Sequence, residues 1–193
     1  MSSPDPAPRL AAPNRILQAA ALRIVEGGAA QLSMQEIAEA ADVSKGLIHY
    51  HFHDKETLLT RLVEWMADGL AQREQDALAG ATAGDAVERL WTWLHGELRR
   101  GHVRVLLELC QEPGELLGSA VMDAFRRRRT SAAKTVEHLY AALELKPRVP
   151  PPLLAEVIVA FIDGLAVDAG VRVDADHRVA FDVFWLAMLS LAE

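Results

Sequence analysis

Cysteine is almost missing from this sequence: Cys110 stands alone among 193 residues, so no internal disulfide frames the fold. Long apolar runs are missing too. The most hydrophobic segment, Val157 to Ile162, stops at Asp163, well short of the roughly 20 residues that cross a bilayer, and no membrane span is expected. The first thirteen residues hold four prolines and lack the apolar stretch of a secretory signal, which points to the cytoplasm. An excess of positive charge is likewise absent. A net charge of −7 excludes a protein that coats nucleic acid by bulk attraction. Alternating apolar and polar residues, the mark of a half-buried strand, nowhere extend far enough to matter. What remains is a chain that is 51% hydrophobic, enough for one well-filled core or for a small domain joined to a larger one.

The apolar residues recur with helical spacing. Residues 1–13 have no periodicity and read as a flexible arm. From Asn14 to Glu26, Ile16, Ala20 and Ile24 return every fourth residue beside Leu17 and Ala21, and Gly27-Gly28 ends that helix. Ser33-Met-Gln-Glu36 has the spacing of a capping box, so a second helix starts there, with Met34, Ile37, Ala38 and Ala41 on one face. Asp42-Val43-Ser44 supplies a short turn and a new N-cap. The third helix spans about two turns with Val43, Ile48 and Phe52 inward, and Asp54 caps a fourth that runs to about Leu78. Asp85-Ala-Val-Glu88 repeats the capping spacing ahead of Leu90, Trp91, Trp93, Leu94 and Leu98. Gly101, Pro113-Gly114 and residues 147–152 punctuate the rest. The pattern predicts an all-α chain of about nine helices: an arm at 1–13, a three-helix helix-turn-helix domain at 14–60, and a larger helical bundle at 61–193.

Two short helices joined by a tight turn make a unit whose second helix can enter a major groove. Charge placement matters more than charge count here. Through residue 60 there are five bases against seven acids, yet from Val43 to His53 there is no acid, while Lys45 and three histidines crowd together with Lys55 just beyond. The run Ile37-Ala38-Glu-Ala-Ala41-Asp-Val43-Ser44-Lys45-Gly46-Leu-Ile48-His-Tyr50-His51-Phe52-His-Asp-Lys55-Glu-Thr-Leu58-Leu59 resembles the signature of the TetR family of transcriptional regulators. The likeness covers about residues 14–60; beyond them only the helical layout and Asp163-Gly164-Leu165 look similar.

The resemblance implies a dimeric, ligand-responsive repressor that binds a palindromic double-stranded operator and is released by a small-molecule effector. It also implies that Gln35, Lys45, Gly46 and His49 face base edges, with Ser44 capping the reading helix, while Ser33, Leu47, Tyr50, His51 and Lys55 lie against phosphates. The chemistry is suitable: lysine donates to guanine, glutamine pairs with adenine, and glycine allows close backbone approach. Tyr50, His51, Ser33 and Lys55 are donors of the kind that fix register on the backbone. His49 stands where the family usually has tyrosine, and Leu47 where a small hydroxyl or amide residue is common, so both bear on sequence preference. Protonation of the histidine cluster is expected to raise operator affinity as pH falls from roughly 8 to 6. The same three histidines admit a metal reading, but only His49 and His53 share a helical face and no cysteine completes a tetrahedral set; no metal or cofactor is expected.

Farther along, the segment from Asp176 to Leu191 is apolar around nearly its whole circumference, and Leu153 to Val171 almost as much. One neighbour cannot bury both, so the two are expected to join a second copy in a four-helix interface, with Phe181, Phe184, Trp185 and Met188 in the seam. Trp65, Trp91, Trp93, His95, Met122, Phe125, Phe161 and Asp163 are candidates to line an effector pocket, each of them equally at home in an ordinary core. Asp163 has three readings: a counter-charge for a cationic ligand, a partner for a buried histidine or arginine, or part of the dimer seam beside Gly164. The Arg126–Arg129 run reads as a solvated face or as counter-charge for an acidic ligand or partner. The rival functions are a helical adaptor that binds protein and, further off, an all-helical enzyme; no nucleophile–base pattern, phosphate loop or metal motif supports catalysis.

Overall fold

The computed structural model describes residues 11–172 and 174–193; most of the expected arm, residues 1–10, lies outside the described residues. Nine helices follow in order among the described residues: α1 (Ala12–Gly27), α2 (Met34–Ala41), α3 (Lys45–Phe52), α4 (Lys55–Leu78), α5 (Ala86–Arg100), α6 (His102–Leu109), α7 (Glu115–Ala142), α8 (Pro151–Val171) and α9 (His177–Leu189). The chain is all-α; the one extended pairing is an isolated bridge between Pro147 and Ala192. No helix of the described residues is long and apolar enough to cross a membrane.

Local chemistry sets most boundaries. The first helix begins at Ala12, two residues earlier than its apolar periodicity suggests, because Pro13 sits in the first turn, where its fixed φ suits a helix and its missing N–H costs nothing. Ser33 accepts from the Glu36 amide at 3.2 Å, the expected N-cap, while the Glu36 carboxylate accepts from the Ser33 hydroxyl at 2.9 Å in place of the backbone N–H of a full capping box. Ser44 accepts from the Leu47 amide at 3.2 Å, and Asp54 from the Thr57 amide at 2.7 Å. The expected cap at Asp85 does not form. Its carboxylate turns back to the Thr82 amide at 2.7 Å and across to Arg89 Nε, so that Asp85 closes a turn instead of reaching into α5.

The core beneath the first three helices does not belong to them alone. Ile16, Ile24, Ile37, Ile48 and Phe52 pack with Leu58, Leu62 and Met66 of α4, with Val105, Leu106 and Leu109 of α6, and with Leu117 and Val121 of α7. Three polar links reinforce this junction. The Glu108 carboxylate of α6 accepts from the Ala29 amide, Arg104 donates to the Val25 carbonyl at 2.7 Å, and Glu56 of α4 accepts from the Leu116 amide of α7 at 3.0 Å. Farther out, α4 and α5 pack with α7, α8 and α9 around two further apolar clusters, one holding Tyr140, Leu139 and Trp185, the other Leu94, Leu165 and Phe181. Tyr140 is buried, and its hydroxyl donates to the Met188 carbonyl at 2.6 Å, tying the end of α7 to α9.

Candidate DNA interface and sensor cavity

The third helix divides cleanly into two faces. Ile48 and Phe52, four residues apart, are buried against the first core and Val43 packs beside them, so the opposite face is held outward at a fixed angle. That outer face carries Lys45, Gly46, His49 and Tyr50, all exposed, Tyr50 at 75%. His51 is half-buried and meets Tyr50 edge-on at 5.1 Å, which props the phenol ring away from the helix. Leu47 is half-buried. His49 Nδ1 lies 2.9 Å from the His53 carbonyl; a carbonyl only accepts, so Nδ1 carries the proton and Nε2 is left free to face outward.

Gly46 is informative because the fold does not ask for it. A Cβ there would find only Ser44 Oγ, at 3.9 Å, in a position with ordinary helical backbone. Of the remaining candidates, Gln35 is exposed on α2 and donates to Glu39 at 2.8 Å, while Ser33 is occupied with its cap. Lys55 reaches the Ala29 carbonyl at 3.2 Å, so in the free protein its ammonium braces the loop before α2. A base contact by Gln35 and a phosphate contact by Lys55 would each require the side chain to exchange its present partner. The Asp54 carboxyl, one residue ahead of Lys55, is held below the usual carboxylate range by the Thr57 amide and hydroxyl, with a smaller contribution from His53.

The second site is a narrow cleft walled by α4, α5, α6, α7, α8 and α9. It encloses about 880 Å³ including its mouth. Of the eight pocket candidates, Trp93 and Phe161 line it. The other six lie elsewhere. Trp65 packs on the first core, 5.5 Å from the His102 ring, and Phe125 packs on the same core. Trp91 stands between His95 and Phe181, His95 and Met122 are exposed, and Asp163 is bonded to Arg128 at 2.6 Å. Asp163 thus takes the second of its three readings. Its partner divides the arginine run: Arg126 and Arg129 are at the surface, Arg127 is exposed at the rim of the cleft, and Arg128 is 7% exposed and lines the cleft from within.

The residues expected in the dimer seam fall on the other side of α9. Phe181, Trp185 and Met188 are buried inside the protomer, and Phe161 stacks on half-buried Phe184 with centroids 3.9 Å apart; Phe181, Phe184 and Trp185 line the cleft. A helix that is apolar all round must choose which stripe faces inward, and here the aromatic stripe fills the protomer because α5 and α7 leave a large gap to fill. What α9 leaves outside is Val179, Val183 and Leu186, the last at 67% exposure; beside it α8 exposes Leu153, Val157, Ala160, Gly164, Val167 and Val171, spaced by four and three.

Periodicity missed the cleft's polar groups. Glu74 of α4 is buried and accepts from Ser131 and Thr135 of α7, both at 2.7 Å; burial raises its carboxyl above the ordinary value against the pull of those hydroxyls and of Arg128. Glu97 is 2% exposed and is held by a two-pronged bond from Arg73, at 2.6 and 2.8 Å. The sequence signal was present in the four-residue spacing of Ser131 and Thr135 inside a helix whose other inward residues, Arg128 excepted, are apolar.

Comparison with known proteins agrees with this geometry. Residues 16–62 match the model of the tetR family of bacterial regulatory proteins. No protein of curated function matches the chain. Among solved structures, the regulatory protein TetR from Rhodobacter sphaeroides is 22% identical, with a TM-score of 0.74 over 88% of this chain and 94% of that one. Reduced NemR from E. coli is 15% identical, with a TM-score of 0.74 over 94% and 98%. The fatty acid degradation regulator FadR from Bacillus halodurans is 20% identical, with a TM-score of 0.73 over 91% and 97%. At such identities these neighbours share the fold, and it extends through nearly the whole of each chain. With an outward-facing α3, the N-terminal module at residues 16–62 matches the tetR family of bacterial regulatory proteins, and the chain as a whole has the fold of these solved regulators.

Proposed function

We propose that the chain is a cytoplasmic, homodimeric repressor that binds a palindromic operator through α3 and is released when a small molecule occupies the cleft. The observation that carries the reading is the exposed, acid-free face of α3, with a glycine at position 46 that packing leaves unexplained. A glycine there admits a DNA backbone or base edge against the helix. Lys45, Gln35 and His49 supply base contacts, while Tyr50, His51, Ser33 and Lys55 set the register on phosphates, with the N-terminus of α4 directed at the same strand. The exposed apolar stripes of α8 and α9 are continuous enough to pair with their symmetry copies, and a two-fold dimer sets two α3 helices about one turn of DNA apart.

Release follows from shared elements. α4 runs from the cleft at Glu74 to the Asp54 cap, and α7 runs from the cleft to the Leu116 amide held by Glu56. A ligand that parts α4 from α7 in the cleft changes the tilt of α4, and with it the spacing of the two reading helices; operator affinity falls because the ligand favours the open arrangement.

The test is selection of a binding motif from random duplexes, followed by titration of variants on the selected and scrambled sequences. Lys45→Ala and Gln35→Ala should each lose about 1–3 kcal/mol on the selected site and relax its sequence preference, whereas Lys55→Ala should weaken all duplexes alike and flatten the salt dependence by about one unit. A selection that yields no motif, or identical losses on every sequence for all three variants, removes the assignment.

A further inference from the structure

The cleft is rich in carboxylates, and its two buried acids suggest at first a cationic ligand. The hydrogen-bond inventory says the opposite. Both oxygens of Glu74 already accept, from Thr135 and Ser131, and both oxygens of Glu97 accept from Arg73. The unpaired groups on cleft residues are donors. Among the described residues, the buried side-chain atoms without a partner include the indole N–H of Trp93, the indole N–H of Trp185 and Nη1 of Arg128, and all three residues line this one cleft. Arg128 spends Nη2 on Asp163, which lies outside the lining, and Nη1 on nothing. A buried donor without an acceptor is destabilising, a charged one more so, and three on cleft residues of α5, α7 and α9 amount to a standing demand for acceptor atoms. Apart from Arg127, Ser131 and Thr135, the rest of the wall is aliphatic and aromatic, which suits a hydrocarbon body.

We infer that the effector cleft takes an apolar carboxylic acid, its carboxylate bound at Arg128 with the indole N–H groups of Trp93 and Trp185 as further donors and its hydrocarbon part between Phe161, Ile158 and Leu139. A carboxylate meets a guanidinium with a charge-assisted bond, stronger than any a neutral oxygen makes there. The Ser131 and Thr135 hydroxyls that donate to Glu74 occupy both of its oxygens and so partly screen it from an incoming anion. The inference rests on the effector reading above for its regulatory consequence, while the ligand chemistry rests on the cleft alone.

Three probes of equal chain length separate the outcomes: decanoate, decylamine and 1-decanol, each titrated into the full chain by calorimetry and by tryptophan fluorescence. Decanoate should bind at least tenfold more tightly than either of the others. In the double variant Arg128→Met/Asp163→Leu, which removes the ion pair as a unit so that no buried charge is stranded, decanoate should lose that advantage and bind like decanol. Trp93→Phe and Trp185→Phe keep the ring and delete one donor; each should weaken decanoate severalfold and leave decanol unchanged. Tighter binding of decylamine would make Glu74 the anchor and overturn the inference, as would equal binding of all three or binding of none. Operator release is scored separately: decanoate that binds without releasing DNA sinks the effector reading and leaves the cleft chemistry standing. Release by decanol or decylamine but not by decanoate does the reverse.

Discussion

Gly46 is where one residue separates folding from function. Alanine is favoured over glycine in a helix by roughly 1 kcal/mol, and nothing around position 46 obstructs a methyl group. Gly46→Ala should therefore leave the melting temperature unchanged or slightly higher while operator affinity drops by an order of magnitude or more, measured by thermal unfolding and by fluorescence anisotropy on the same sample. A stable variant with undiminished binding would show that DNA does not approach this helix closely. The caps at Ser33, Ser44 and Asp54, the glycines and the inward trio Val43, Ile48 and Phe52 were legible in the sequence, because caps and periodicity act over three or four residues; the Asp85 carboxylate, drawn back to Thr82, was not. Nor was Arg128. Its burial depends on Asp163 arriving from α8, thirty-five residues away, and four consecutive arginines give no local sign of which one points inward.

At the scale of the element, α6 is the short strut between the reading head and the sensor helices, and its first residue is its weak point. His102 is pushed down to about 4, chiefly by burial and next by the nearby Arg73 charge, and its ring also faces Trp65 at 5.5 Å. A proton there would be buried near the N-terminal end of α6, where the helix dipole also disfavours positive charge. The unfolded chain takes up that proton near 6.5 and the folded one only near 4, so stability is full above pH 6.5 and declines as pH falls toward 4. The loss attributable to this ring is up to roughly 3 kcal/mol across that window. Unfolding in urea at pH 7.5 and 4.5 should show it, and His102→Phe should remove most of the difference; an unchanged difference would shift the cause to other groups. Glu74 acts with the opposite sign, since its raised carboxyl favours the folded state as pH falls. Helix periods predicted α4, α8 and α9 well, but not which stripe of an all-round apolar helix faces its own protomer. That choice is made by the gap between neighbouring helices, and it put Phe181, Trp185 and Met188 inside and Val183 and Leu186 outside.

At the scale of the whole molecule, the exposed stripes of α8 and α9 fix the expected assembly. Val183→Glu with Leu186→Glu alters only side chains that a protomer leaves in solvent, so the pair should yield a folded monomer by analytical ultracentrifugation. Operator affinity should fall by at least a hundredfold through loss of the second half-site. A double variant that remains a dimer would move the interface to another face.

The shared core beneath α1–α3 has a practical corollary for anyone recombining such proteins. Leu106, Leu117 and Val121 are structural members of the reading head although they lie more than forty residues past its last DNA-facing side chain. A hybrid spliced directly after Phe52 or Lys55 would inherit half of a hydrophobic socket and no plug for it. The transferable unit is the head together with the matching flanks of α4, α6 and α7, and swapping specificity is better done by repainting the outer face of α3 than by exchanging modules.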